Sequence, residues 1–292
     1  MSSFAVPLWA WGLFAAVVVA SLAIDLIQHR GDHADSRRRA LIWSGIWIGV
    51  SLLFAGFVAL QLGAPAAQEF VTAWLVEKSL SVDNLFVFLV IFRRLRVPRE
   101  QQHKVLFWGI IGAFVTRGLF IAAGSAVLER WHAATYVLGA FLVFTGLKTL
   151  GHGREARDEK ESKVVTFAQR YVSAPLLVPI VAIELSDIMF AIDSIPAVFA
   201  ISRDPFIVFT SNVFAILGLR ALYLVLADVV ANLKYLHYGL GTLLVFVGAK
   251  MIAGHWVHVP NWASLATTVA ILTAAVVPSL VHRRRVEATG TS

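Results

Sequence analysis

Two apolar stretches of the chain carry acidic side chains where a membrane-type helix would normally carry none. The first reads EKSLSVDNLFVF (77–88) and the second reads ELSDIMFAIDSIPAVF (184–199). The side chains with carboxylate or amide oxygens are Glu77, Asp83, Asn84, Glu184, Asp187 and Asp193. Such donors suit hard divalent cations, Mn²⁺, Mg²⁺ or Ca²⁺, better than copper or zinc. The residue types therefore predict a cation site.

Basic residues within apolar runs leave a second interpretation open. They are Lys78, Arg117, Lys148, Arg220 and Lys250. The acids would then only neutralise these bases as packing ion pairs. Ionisable groups inside a membrane are costly and usually functional, which favours the cation site. In a mixed arrangement, Arg117 and Arg220 pair with some acids and leave others for the ion or for proton coupling.

Three other side chains have less decided roles. Asp25 lies near the end of the first apolar run, where it is either an interfacial acid beside a basic loop or part of the pathway. His255 and His258 share a loop, where solvated histidines are more common than metal ligands. No phosphate-binding loop, catalytic triad or HExxH sequence is present. We therefore predict neither an enzyme nor a prosthetic group.

Nine apolar segments position these residues. The chain is 58% hydrophobic and has a mean hydropathy of +0.75, and about 20 apolar residues cross a bilayer. The predicted spans are 6–28, 41–63, 70–92, 105–127, 134–150, 174–201, 205–228, 236–254 and 262–281. We predict an all-α polytopic membrane protein in which residues 1–292 form a single transmembrane domain, with a charged cytoplasmic loop over 151–173.

The basic residues of the loops orient these spans. Of the 25 lysines and arginines, 18 lie in loops on one side, and only Arg130 and Arg203 lie in loops on the other. The positive-inside rule puts the N-terminus outside and the C-terminus in the cytoplasm. Because the net charge of +7 arises from these short loop clusters, nucleic-acid binding is not expected.

An internal repeat relates spans 3–5 (70–150) to spans 6–8 (174–254). YVLGAFLVFTGLKTL (136–150) and YGLGTLLVFVGAKMI (238–252) are identical at eight of fifteen positions. The matching charged pairs are Glu77 and Asp187, Asp83 and Asp193, Arg117 and Arg220, and Lys148 and Lys250. A unit of three spans crosses the membrane an odd number of times. The second copy is therefore predicted to be inverted, as in many secondary transporters.

Straight helices could not bring all the acids to one point. At 100° per residue, Asp193 points away from Glu184 on one helix. Pro179 and Pro196 lie in the same span, and proline removes a backbone hydrogen bond. We therefore predict a break or kink near residues 186–196 that lines a cavity.

The two acidic stretches, together with DPFIVFTSNVFAILGLRALY (204–223), closely resemble the TerC family of bacterial membrane proteins. The resemblance runs from LAID (22–25) to the end of the ninth span. It implies a protein of the bacterial cytoplasmic (inner) membrane, in a family named for tellurium resistance whose members are implicated in manganese export. By position, it implies that the six acidic and amide side chains of the two stretches are the pathway and metal residues.

The residues and the resemblance together predict a secondary exporter of divalent cations, with Mn²⁺ as the favoured ion. Export would be driven by proton exchange or by the membrane potential. Burial disfavours the charged form of a carboxyl group, so an arriving cation would displace a proton. The alternative is a non-transporting membrane scaffold of a metal-stress or tellurite-resistance complex, and an amino-acid exporter ranks third. The expected partners are lipid, a divalent ion and protons, and an oligomer is compatible with the sequence.

Overall fold

The computed structural model is helical throughout the part of the chain that it describes, which comprises residues 6–28, 37–131, 133–152, 155–172, 174, 176–226, 236–254, 256–257 and 259–289. No strand occurs in those ranges. The helices are α1 (Leu8–Gln28), α2 (Arg37–Leu62), α3 (Ala64–Arg94), α4 (Arg99–Arg130), α5 (Ala134–His152), α6 (Glu155–Tyr171), α7 (Leu177–Phe199), α8 (Pro205–Ile216), α9 (Leu219–Leu226), α10 (Leu236–Ala253) and α11 (Asn261–Thr289). The all-α class is confirmed.

Each of the nine predicted spans is helical in the residues that the structure describes. The seventh span is divided between two helices, α8 and α9. Five of the described helices (α2, α4, α5, α10 and α11) are long and apolar enough to cross a membrane, and α1 and α8 contain shorter apolar stretches. α3 and α7 are long enough, but each carries at least three charged side chains in its middle. The count of nine spans stays a prediction.

The break predicted in the sixth span is wrong. α7 is continuous from Leu177 to Phe199. Pro179 lies in its first turn, where a backbone N–H would have no intrahelical acceptor. Pro196 lies in the last turn and removes only the bond to the carbonyl of Ile192. Both prolines therefore stand where a helix tolerates them.

The break lies instead in the seventh span, at Leu217 and Gly218. α8 ends at Ile216 and α9 begins at Leu219. Leu217 is extended, with ψ 132°, and Gly218 has φ +78°, a conformation that glycine adopts without steric cost. A lone glycine inside an apolar run is the sequence signal for this turn.

Gly218→Ala is expected to destabilise the protein. A Cβ at this position would lie 2.6–2.7 Å from side-chain atoms of Trp47 and would stand on a residue with positive φ. Backbone strain of this kind alone costs about 1–3 kcal/mol. The measurement is the thermal unfolding midpoint in detergent. Gly56→Ala is the control, since its Cβ would meet nothing within 4 Å, and equal midpoints for the two variants would contradict the expectation.

The central helices pack in pairs. α3 packs against α8, α4 packs against α7, and α3 also contacts α7. α5 lies along α10. These contacts gather the middles of α3, α4, α7 and α8 around one point, where the charged residues of α3 and α7 lie.

α5 and α10 touch each other through glycines. A Cβ on Gly146 would lie 2.7 Å from the carbonyl oxygen of Gly241, and a Cβ on Gly248 would lie 2.7 Å from that of Gly139. Gly139 thus faces Gly248 and Gly146 faces Gly241, so the two helices run antiparallel. The four residues are the shared glycines of the two similar segments.

Most of the segment predicted as a loop over 151–173 is a helix, α6. It packs against α7 and α3, and its buried side chains include Val165 and Ala168. The segment has few apolar residues, and Phe167 and Tyr171 are exposed, so its charged composition hid the helix from sequence reasoning.

Candidate functional site

A buried arginine lies where the four central helices meet. Arg117, in the middle of α4, is 1% exposed. Its Nη2 donates to Asp187 Oδ1 (2.9 Å) and its Nε to Asp187 Oδ2 (3.2 Å) on α7, a two-bond geometry that strengthens arginine–carboxylate pairs. Its Nη1 donates to Glu77 on α3 and to Asn212 Oδ1 (3.3 Å) on α8. One side chain thus joins all four helices.

The Arg117 cluster, which we define as Glu77, Arg117, Asp187 and Asn212, has an excess of negative charge when its acids are ionised. Two carboxylates face one guanidinium, and all four residues are buried. Removing charges from water is costly unless they are paired and hydrogen-bonded. The cluster therefore favours one further positive charge, either a proton or a cation.

Polar atoms in and around the cluster lack hydrogen-bond partners among the described residues. They are Glu77 Oε2, Asn212 Nδ2, Ser81 Oγ and Ser194 Oγ. All four residues are buried. The Ser194 hydroxyl is close enough to the Glu77 carboxylate to interact with it, although the two do not meet hydrogen-bond geometry. A buried polar atom left unpaired costs about 1–3 kcal/mol. The oxygens of this group are acceptors that an incoming cation could engage.

Glu184 lies one turn before Asp187 on α7, and the two carboxylates influence each other electrostatically. Its carboxylate packs against α4 at Gly112, where a Cβ would overlap the carboxylate atoms. Glu184 Oε1 is buried and has no hydrogen-bond partner among the described residues. Gly112 therefore makes room for this acid, a role that the sequence alone did not indicate.

Gly112→Ala is expected to displace the Glu184 carboxylate or to push α4 away from α7. Overpacking of this kind costs about 1–3 kcal/mol, measured as a lower thermal midpoint. Adding Glu184→Ala should recover part of the loss, because it removes the overlapping group. Gly45→Ala is the control, since its Cβ would meet nothing within 4 Å. A double variant no more stable than Gly112→Ala would contradict the assignment.

Lys78 follows Glu77 in the chain but does not bond to the Arg117 cluster. Its Nζ donates to the carbonyl oxygens of Ala215 (2.9 Å) and Leu217 (3.2 Å). These carbonyls lie at the end of α8, immediately before Gly218. The lysine therefore ties α3 to the break in the seventh span.

The repeat-matched lysines Lys148 and Lys250 have different surroundings. Lys250 Nζ donates to Ser264 Oγ (3.0 Å), and Glu69 is the neighbouring opposite charge. Glu69 Oε1 accepts from Asn261 Nδ2 (3.1 Å). Lys148 is exposed on the surface of α5. Glu69 was missed because it precedes the third predicted span.

The remaining described site residues are not gathered into the cluster. Asn84 is buried on α3. Asp193 is half-buried on α7 and has an interaction partner of its own. Since α7 is unbroken, Asp193 lies about 9 Å along its axis from Asp187 and about 120° around it. Within the described ranges, no three Asp, Glu or His side chains form a group that could hold a metal ion.

Five predicted residues have side chains outside the described part of the chain. They are Asp25, Asp83, Arg220, His255 and His258. Their proposed roles in the pathway, in charge pairing or in metal contact stay predictions.

Asn212 completes the cluster and was not among the predicted site residues. It is fully buried on α8. Its only sequence signal is a single amide in the apolar run PFIVFTSNVFAI. The pairing with Arg117 depends on α8 packing against α3 and α4, which no local pattern shows.

Comparison with known proteins identifies the family. A sequence model described as "Integral membrane protein TerC family" matches residues 62–287. The chain belongs to the TerC family. The matched region of this TerC protein contains the whole Arg117 cluster, so the resemblance noted from the two acidic stretches is confirmed.

Relatives of this TerC protein cover nearly its full length. The "Uncharacterized membrane protein STKORF319" of Myxococcus xanthus is 42% identical over 94% of this chain and 92% of its own. The "Putative membrane-bound redox modulator Alx" of Escherichia coli K12 is 40% identical over 93% of this chain and 94% of its own. A protein of the same name from Salmonella typhi is 39% identical over 95% of each chain. No solved structure matches the chain.

Proposed function

We propose that this TerC protein is a secondary exporter of divalent cations, with Mn²⁺ as the first candidate, which exchanges the cation for protons across the bacterial cytoplasmic membrane. The observation that carries the proposal is the Arg117 cluster. It is buried, it joins four helices, and its two carboxylates outnumber its guanidinium. Carboxylate, hydroxyl and amide oxygens are the donors that hard divalent cations prefer.

Arg117 suits an exchange mechanism because its guanidinium holds both acids in this conformation. A cation that reaches Glu77 and Asp187 must compete with Arg117 for their oxygens. Glu184 has no bond to Arg117 and lies beside Asp187, so it is the carboxyl group available to carry a proton. With Glu184 protonated, the charges of Arg117, Glu77, Asp187 and Glu184 leave an excess of one negative charge. With Glu184 ionised and a divalent ion bound, they balance.

The helix contacts support two inverted copies, 70–150 and 174–254, that could rock against each other. In the repeat, α3 corresponds to α7 and α4 corresponds to α8. Replacing each helix by its counterpart turns the contact of α3 with α8 into the contact of α7 with α4, and the structure contains both. In the same way, the contact of Gly139 with Gly248 maps onto that of Gly241 with Gly146. Such exchange symmetry is expected of the inverted repeats that give alternating access in secondary transporters.

The test is ion flux in proteoliposomes that contain a pH-sensitive dye, with the membrane potential clamped. Mn²⁺ added outside should enter while protons leave, and a pH gradient should drive the exchange. Mn²⁺ flux without proton movement would exclude the antiport mechanism and indicate a uniporter driven by the membrane potential. Liposomes that take up no more Mn²⁺ than protein-free ones would overturn the proposal.

The bonds of Arg117 to both acids favour one second candidate, the non-transporting membrane scaffold of a metal-stress or tellurite-resistance complex. In that protein, the cluster would only hold the four helices together. Redox modulation appears only in the name that the Escherichia coli and Salmonella typhi relatives share. This chain has no cysteine, so any redox effect of its own could not use a thiol.

A further inference from the structure

The end of α8 holds a positive charge that the Arg117 cluster does not use. Lys78 Nζ lies 2.9 Å from the carbonyl oxygen of Ala215 and 3.2 Å from that of Leu217. Both carbonyl-bearing residues are buried. Among the described residues, the structure gives this ammonium group backbone carbonyls as acceptors and no carboxylate.

Three features of the backbone make this position attractive to a cation. The last carbonyls of a helix have no intrahelical N–H partner, and the helix dipole places partial negative charge there. Leu217 is extended and Gly218 has positive φ, so the chain turns just after α8 ends. As a result, the oxygens of Ala215 and Leu217 converge on one point instead of following the helix axis.

We propose that the carbonyl oxygens of Ala215 and Leu217 form a monovalent-cation subsite, in which the ammonium group of Lys78 is a tethered occupant. K⁺ is the alkali ion closest in size to an ammonium group, and channel filters bind K⁺ through backbone carbonyl oxygens. The subsite therefore accepts K⁺ when the ammonium group is removed. It is distinct from the divalent site proposed above, although Lys78 and Glu77 are adjacent on α3, so a movement of α3 displaces both.

The test compares Lys78→Met with the wild-type protein, using the purified full-length chain in detergent. Methionine keeps much of the length of lysine and removes the charge. In choline chloride, the variant should unfold at a lower temperature than wild type. KCl at equal ionic strength should raise the midpoint of the variant by at least about 3 °C through ligand binding to the folded state, and NaCl should raise it less. Wild type should show no such difference between KCl and choline chloride.

Two further variants are matched controls. Lys78→Arg keeps a positive donor and should remain insensitive to K⁺. Lys148→Met makes the same chemical change at an exposed lysine and should behave as wild type. A Lys78→Met midpoint that is the same in KCl and choline chloride would overturn the proposal.

If too little Lys78→Met protein is recovered for an unfolding measurement, the effect of K⁺ can be measured during extraction from membranes. The same salts are then compared by the yield of monodisperse protein extracted from membranes. A higher yield in KCl than in choline chloride supports the subsite, and equal yields overturn it. Both readouts report stability, so neither depends on whether the protein exports Mn²⁺.

Discussion

Arg117→Ala is expected to cost the protein about 3–5 kcal/mol, the usual effect of breaking a buried ion pair by removing one partner. The change leaves Glu77 and Asp187 buried side by side without the guanidinium that both now accept from. It also breaks the connection that joins α3, α4, α7 and α8. The measurement is the thermal midpoint in detergent, together with the yield of monodisperse protein.

A double variant tests whether the unpaired carboxylates cause the loss of stability in Arg117→Ala. Arg117→Ala with Asp187→Asn leaves one buried carboxylate instead of two, so the double variant should be more stable than Arg117→Ala alone. Arg117→Lys should be only partly tolerated, because lysine cannot make the two-bond contact with Asp187. Arg130→Ala, at an exposed arginine of the same helix, is the control and should have little effect. Arg117→Ala with wild-type stability would show that the cluster does not hold the helices together.

Glu77→Gln is expected to abolish cation transport while leaving the fold intact. The glutamine amide keeps an oxygen that can accept from Arg117. The cluster then has one carboxylate for one guanidinium, and the negative excess that attracts a divalent cation is lost. Even outer-shell partners of a metal site are worth about 10–100-fold in affinity or activity, so the loss of a direct ligand should lower Mn²⁺ flux by about 100-fold or more.

Glu129→Gln is the matched control, because it makes the same change at an exposed carboxylate near the end of α4. It should transport Mn²⁺ as wild type does. A Glu77→Gln protein that folds and transports at the wild-type rate would remove Glu77 from the cation pathway. That result would favour the scaffold, in which the charges of the cluster are structural.

Sequence reasoning located the apolar helices and the charged residues because both follow from local composition, whereas the charged helix α6 was missed. Long apolar runs predicted helices, and two acids within them, Glu77 and Asp187, lie in the Arg117 cluster. Periodicity also showed that Asp193 could not share a face with Glu184, and the unbroken α7 keeps them apart.

Features that depend on how helices pack could not be predicted in the same way. The prolines of α7 suggested a break, but their effect depends on where the helix begins and ends. The actual break is at Gly218, which has positive φ and whose lack of a Cβ leaves room for Trp47. The partners of Asn212 and Lys78 lie on other helices, 95 and 137 residues away for their contacts with Arg117 and Ala215.

The glycine contact between α5 and α10 also limits how these two helices can move. At Gly139 and Gly146 the backbone of α10 comes close, and the side chains of Ile252 and Val245 fill the space beside the two glycines. Helices that interlock in this way must change rotamers or separate before they can turn against each other. The contact is therefore expected to resist sliding, so a movement of one half of the repeat against the other would pivot on it.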